Sequence, residues 1–325
     1  YHHGVLPVVA FAIGWLIAEG SSDKQIRDGI LALTVGFGTY ATLNMLVNIG
    51  NNRYRLIDFW TGTYRAATGS GALNTLPISV APYAVKFEKR LPVKIMFLAL
   101  FFATIQYMFM LGTRTQFAIL LLIVILAALQ FAYSEQGIAG VLKCIGIMAV
   151  ISLIAFLLYH FNVLSIRDYI LSTNLAARYE RRASLENADS FRFQSFWIGL
   201  RELIQYPMGG RASQIYRHNM WLDVGRVSGI IPFCLLLVYS IKNFANVTVI
   251  WKNTKILPSL RYLLLFLYIG AYVNCFVEPI WEGALNFFLA LCVVDGMVSA
   301  MMRRLENDPT PEESVSDTSK LHTDL

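Results

Sequence analysis

Residues 93–133 read VKIMFLALFFATIQYMFMLGTRTQFAILLLIVILAALQFAY. Two apolar runs, about 93–112 and 116–133, are parted only by Thr113, Arg114 and Thr115. A run of about 20 apolar residues crosses the ~30 Å core of a bilayer as a helix, because a helix satisfies its own backbone there. So short a connection leaves Arg114 at the membrane edge. A charge in that place is costly unless it snorkels or is paired. Arg114 therefore either reaches into a cavity to bind phosphate or anchors to lipid headgroups.

Working outward, seven further apolar runs follow the same logic: about 4–19, 29–49, 73–86, 141–161, 224–241, 260–277 and 284–300. Together they predict about nine transmembrane helices. The run 73–86 is the weakest, being short and carrying Pro77 and Pro82, but neighbouring helices can compensate for prolines in a span. Composition agrees. The 325 residues are 56% hydrophobic and 15% charged, with a mean hydropathy of +0.53. A soluble domain has about 45–50% apolar and about 25% charged residues. An all-α polytopic membrane protein is expected, with a transmembrane domain over 1–304. The tail 305–325 is acidic and rich in Pro, Ser and Thr, and reads as a disordered cytoplasmic end. Cys144, Cys234, Cys275 and Cys292 fall in or at apolar runs without CxxC spacing and read as small core residues. The opening YHHG has no basic n-region and no cleavage site, so it is not expected to be a signal peptide, and further helices before it are expected.

Orientation follows lysine and arginine in the short loops. Lys86, Lys89, Arg90 and Lys94 flank one connection, Lys242, Lys252, Lys255 and Arg261 another, and Arg303 and Arg304 follow the last span. Placing these in the cytoplasm puts 20–28 and 134–140 there too. The segments 50–72, 113–115, 162–223 and 278–283 then lie outside. Thirteen of the 18 arginines fall on that outer side or its boundary, and none of the nine lysines does. A positive-inside bias does not produce this split. Arginine's planar fork binds phosphate oxygens bidentately and is less strongly hydrated than an ammonium. The alternative is a solvated loop whose arginines are compositional drift.

The long outer loop, about 162–223, leads into DSFRFQSFWIGLRELIQYPMGGRASQIYRHNMWLDVGRVSGIIP over 189–232. Phe196, Trp197, Leu200, Leu203 and Ile204 recur at helical spacing and predict an amphipathic helix along the membrane surface, with Arg192 ahead of it. Met208-Gly209-Gly210 reads as a turn. His218, followed by Asn219 and surrounded by Arg211, Arg217 and Arg226, is a candidate base or phosphate donor, since nearby cations favour neutral imidazole. A simple interfacial anchor is the plainer alternative. Glu278 and Glu282, in a second outer hairpin, can pair with the arginines or act as a base. No DxD, GxxxxGK[ST], HExxH or metal-ligand spacing occurs, so no metal and no cofactor is expected.

The pattern Arg192, Trp197, Pro207-Met208-Gly209, His218-Asn219, nine residues and Gly229 resembles the O-antigen ligase and O-antigen polymerase superfamily of bacterial polysaccharide assembly. Gly112-Thr113-Arg114-Thr115 is similar to that family's Ser-Arg-Gly hairpin, and Gly71–Asn74 to a Gly…Asn element. Pro232 stands where the ligase form has Gly, Thr or Tyr, which favours a polymerase. The resemblance covers roughly 70–310. It implies a glycosyltransferase C-like fold in the bacterial inner membrane, with an extracytoplasmic site and no metal requirement. The donor would be a glycan on polyprenyl diphosphate and the acceptor a glycan or lipid. Arg114, Arg192 and His218 would be catalytic. Asn219, Arg211, Arg217, Arg226, Glu278 and Glu282 would serve substrate binding. Chain-length regulator and flippase proteins would be partners, and nucleic acid would not. A ligase passing finished glycan to lipid A core, and a transporter of lipid-linked sugars, are the alternatives.

Overall fold

A computed structural model describes residues 2–48, 55–183, 188–213 and 215–307. Arg53 and most of the tail, 308–325, lie outside the described residues, as do the side chains of Arg55, Arg65, Arg181, Arg182 and Arg192. The chain is helical apart from one antiparallel ribbon, β1 (Arg55–Ile57) with β2 (Tyr64–Ala66). The helices are, in order, α1 (His2–Ala18), α2 (Asp23–Val47), α3 (Ala67–Leu73), α4 (Thr75–Lys86), α5 (Leu91–Leu111), α6 (Arg114–His160) and α7 (Ile166–Leu171). There follow α8 (Asn174–Ala183), α9 (Ala188–Gln205), α10 (Met220–Ser228), α11 (Ile230–Lys252), α12 (Pro258–Val277), α13 (Ile280–Gly283) and α14 (Leu285–Asn307). Among the described residues six of these, α2, α5, α6, α11, α12 and α14, are long and apolar enough to cross a membrane. This is an all-α membrane protein.

The expected nine runs map onto these helices with three differences. The runs 116–133 and 141–161 both fall in α6, which has a single break at Gly137 (φ +61°, ψ −144°) in place of a loop over 134–140. A Cβ on Gly140 would collide with the carbonyl oxygen of Ala132, eight residues earlier. Eight residues of unbroken helix rise about 12 Å, so the chain doubles back at Gly137 and the two runs are antiparallel halves of α6. The run 224–241 is divided at Gly229, and its span is α11, displaced towards the C-terminus. Lys242 and Lys252 are therefore helical, and the connecting loop shrinks to 253–257. The run 73–86 is only a 12-residue helix, α4, and α1 has 17 residues. Helix length thus supports six crossings, not nine. The expected tail also starts later, since Leu305–Asn307 complete α14.

The weakest run by hydropathy is the most enclosed. Every residue of α4 from Thr75 to Ala84 is buried, with α12, α5, α6 and α2 packed around it. Lipid never meets this helix, so its Ser, Thr and Pro residues carry no exposure cost. Gly270 lets α12 approach so closely that a Cβ there would strike the Ser79 hydroxyl. Beside this centre α1 crosses α14 at backbone contact. A Cβ on Gly14 would overlap the Val293 carbonyl, and one on Gly296 the Phe11 carbonyl. Small residues permit such crossings where apolar surface alone gives no drive to associate. In the middle of α14, Asp295 is fully buried and accepts hydrogen bonds from Tyr239 (2.7 Å) and Tyr268 (2.5 Å).

Contacts sort the connections into two ends. At one end Arg304 meets the Ser21 carbonyl and Asp23, the Leu257 amide donates to Asp23, and Lys86 pairs with Glu135. The Phe87 and Trp251 rings both pack on Tyr262 there. At the other end Arg178 donates to the Gly112 carbonyl (2.6 Å), Asn174 to that of Met110 (2.6 Å) and Asn219 to that of Phe276 (3.1 Å). The segments expected to share a side therefore do share an end.

Candidate functional site

The second end holds the candidate residues, and three connections build it. The first is the α5–α6 hairpin. Gly112 ends α5 in the left-handed region (φ +66°), which suits glycine. A Cβ there would meet Arg178 and the Asn174 carbonyl. The chain then enters α6 with Thr113 at the N-cap and Arg114 as the first helical residue. No side-chain hydrogen bond caps this terminus. Its backbone N–H groups and Arg114 together form a positive site suited to an anion.

The second connection carries His218. Pro207-Met208-Gly209-Gly210 forms the expected turn and docks on the α10–α11 junction. The Gly210 amide donates to the Val227 carbonyl (2.9 Å), Arg211 to Arg226 (3.1 Å), and Ile230 back to Pro207 (2.8 Å). Gly209 (φ +74°) and Gly229 (φ +95°) meet here. A Cβ on Gly209 would lie 2.5 Å from the Gly229 nitrogen, and one on Gly229 would strike the Pro207 carbonyl. The two glycines of the sequence pattern are thus two sides of one backbone contact. His218 precedes α10 with φ +54°, unusual for a residue with a side chain. Two neighbours fix it. Asn219 caps α10, accepting from the Leu222 amide (3.0 Å), and its amide nitrogen holds the Phe276 carbonyl. The Arg217 amide donates to Asp223 at 2.6 Å.

The third connection is the α12–α13–α14 turn. Glu278 is buried at the end of α12, accepts from the Thr115 hydroxyl and faces His218, with Oε2 3.9 Å from Nδ1. That separation is too long for a hydrogen bond but is of the kind that tightens when a ligand binds. Glu278 thus joins the Arg114 hairpin to the His218 loop. Gly69 lies against the Gly283 carbonyl and holds α3 to the same turn.

The remaining arginines are engaged with protein carboxylates or rings. Arg217 makes a forked pair with Glu202 (2.7 and 3.1 Å). Arg211 stacks over Tyr206 (4.2 Å) and lies 3.8 Å from Glu202. Arg226, nearly inaccessible, pairs with Glu282, donates to the Arg211 carbonyl (2.5 Å) and lies 3.7 Å from Asp223. Burial pushes the Asp223 carboxyl up to about 6, partly opposed by the Arg217 N–H and by Arg226. The structure places Arg192 in α9, inside the helix rather than ahead of it. The α9 residues turned inward, Ser195, Gly199 and Leu203, pack on α10, whereas Trp197 and Ile204 are exposed. Asp223 and Thr115 went unsingled in the sequence. A signal for Asp223 was present, since an acid in the first turn after a capping Asn belongs at a helix N-terminus.

Between α10, α11 and α12 an apolar recess of about 350 Å³ opens beside this end, lined by Trp221, Leu237, Ser240, Ile241, Phe244 and Tyr272. Trp221 stacks on Tyr272 and donates to Ser240 (3.0 Å). Among the described residues no group of three or more His, Cys, Asp or Glu could hold a metal ion. Compared with known families and with curated proteins, the chain matches no family model and no curated protein.

Proposed function

We propose that the chain is a metal-independent membrane glycosyltransferase that joins polyprenyl-diphosphate-linked oligosaccharides into a surface polysaccharide. The site end would face outward from the bacterial cytoplasmic membrane. The observation that carries this reading is the meeting of the Arg114 hairpin with the His218 loop at Glu278. A cation at a helix N-terminus, an imidazole and a carboxylate stand together beside an apolar recess. That set suits a substrate with a diphosphate, a hydroxyl nucleophile and an isoprenoid tail.

In the reaction the acceptor hydroxyl oxygen attacks the anomeric carbon. The carbon–oxygen bond to the diphosphate breaks, and its electron pair passes to the phosphate oxygen. Arg114, the α6 N-terminus and Arg192 would stabilise that growing charge, and losing one such preorganised donor typically costs about 2.7–4 kcal/mol of barrier. His218 would take the hydroxyl proton, with Glu278 orienting the imidazole, a contribution often of about 10²–10⁴-fold. The tail would lie in the Trp221–Tyr272 recess.

Liposomes holding the purified protein and a defined lipid-linked oligosaccharide test this. Longer glycans with released polyprenyl diphosphate are expected. A product formed only when a lipid A core acceptor is added would mean a ligase. One observation favours a second reading, a carrier of lipid-linked sugars: Asp295 and its two tyrosines lie in the middle of the bundle, where an ionisable group is often functional. Movement of the lipid across the bilayer without bond formation would support the carrier.

A further inference from the structure

Beneath Glu278 the polar lining continues into the bundle. Gln116 donates to Asn274 (3.4 Å), and Asn274 donates to Thr75 (3.0 Å). Asn74, one residue before Thr75, is fully buried, and neither atom of its amide meets a hydrogen-bond partner. The Thr113 hydroxyl, also buried, is in the same condition. Gly71 relates the two. Residues three apart share a helix face, and side chains lean back over the preceding turn. The Asn74 amide therefore leans over Gly71, and a Cβ on Gly71 would lie 2.9 Å from both Thr113 Cγ2 and Gln116 Oε1. Gly71 leaves open the ground between Asn74 and the Arg114 hairpin.

A buried amide with no partner is rare enough to need an explanation. Here it stands in the most enclosed part of the molecule, beside a candidate site. The two side chains offer amide N–H donors, an amide carbonyl and a hydroxyl, with no charge. A phosphate accepts only, and the carbonyl would repel it. A sugar hydroxyl both donates and accepts, and matches the set. We propose that Asn74 and Thr113 bind hydroxyls of the sugar next to the diphosphate, while Arg114, one residue along, engages the phosphate. This rests on the glycosyltransferase reading. The pair is enclosed in the ligand-free chain, so binding requires the neighbouring Thr115–Glu278 contact to part.

The test uses the full chain in nanodiscs, as wild type, Asn74→Leu and Thr113→Val. Two probes are titrated, a polyprenyl diphosphate bearing an oligosaccharide and the same polyprenyl diphosphate without sugar. Thermal unfolding is recorded without ligand. Both variants are expected to unfold within a few degrees of wild type, because each removes an orphaned polar group. They are expected to bind the sugar-free lipid as wild type does and to lose about tenfold or more in affinity for the glycosylated one. Unchanged affinity for both lipids would overturn the proposal and leave the pair holding water. Equal losses for both lipids would overturn it in favour of a phosphate contact. If Asn74→Leu does not fold, Thr113→Val decides. A wild type that binds neither lipid would fail the glycosyltransferase reading itself, and this proposal with it.

Discussion

Asp223 sits under the His218 turn with no exposed surface, holding the Arg217 amide and lying near Arg226. Burial raises its carboxyl to about 6. A carboxyl whose folded value exceeds its unfolded one contributes stability that is full below the unfolded value, near 4, and is lost as pH rises through about 6. Asp223→Asn removes that titration while keeping an acceptor for the Arg217 amide. Its unfolding temperature should therefore gain on wild type between pH 4 and 7, by an amount worth roughly 1–3 kcal/mol. A difference that stays constant with pH would contradict this. Gly229 is the second residue with a stated cost. Its φ of +95° and its contact with Pro207 leave no room for Cβ. Gly229→Ala should destabilise the turn by about 1–3 kcal/mol, seen as faster proteolytic cleavage within 206–213. At this scale the sequence pattern located His218, Asn219 and both glycines. It could not show that Arg211, Arg217 and Arg226 already face Glu202, Asp223 and Glu282. Arg217 and Glu202 are 15 residues apart, and Arg226 and Glu282 are 56 apart. Residue spacing along the chain carries no information about such meetings.

Among the elements, hydropathy found the long helices but misread breaks inside apolar stretches. Val224 to Phe233 is apolar enough to read as one span, yet Gly229 turns the chain between α10 and α11. Conversely, 134–140 is polar enough to read as a loop, and the helix persists through it except at Gly137. A glycine's φ decides both cases, and composition does not report φ. The α4 segment was undervalued for a related reason, since hydropathy measures fitness for lipid and α4 meets only protein. Asp295 belongs at this scale too, because it joins α14 to α11 and α12 through Tyr239 and Tyr268. Asp295→Leu leaves two buried hydroxyls unsatisfied and should cost about 2–4 kcal/mol, whereas Asp295→Asn, retaining an acceptor, should cost about half as much. Equal unfolding temperatures for the two variants would show that the tyrosines find other partners. Gly14→Leu should force α1 from α14, and a crosslink between cysteines introduced on those helices reports it. Retained crosslinking would mean that α1 tolerates the bulk.

For the whole molecule, the division of loops into two ends was legible from lysine and arginine placement, because a membrane allows a connection only two sides. What the sequence left open was convergence. Thr115 and Glu278 are separated by 163 residues, yet their contact brings the Arg114 hairpin to the His218 loop. The account's central claim is that this convergence is a glycosyl-transfer site. The most direct measurement is glycan extension in liposomes by wild type, Arg114→Ala and His218→Ala, each checked for folding by thermal unfolding. Wild type should lengthen the lipid-linked oligosaccharide and release polyprenyl diphosphate. Each variant should fold normally and be slower by about 10²-fold or more. Folded variants that extend glycan at the wild-type rate, or a wild type that forms no glycosidic bond, would contradict the account.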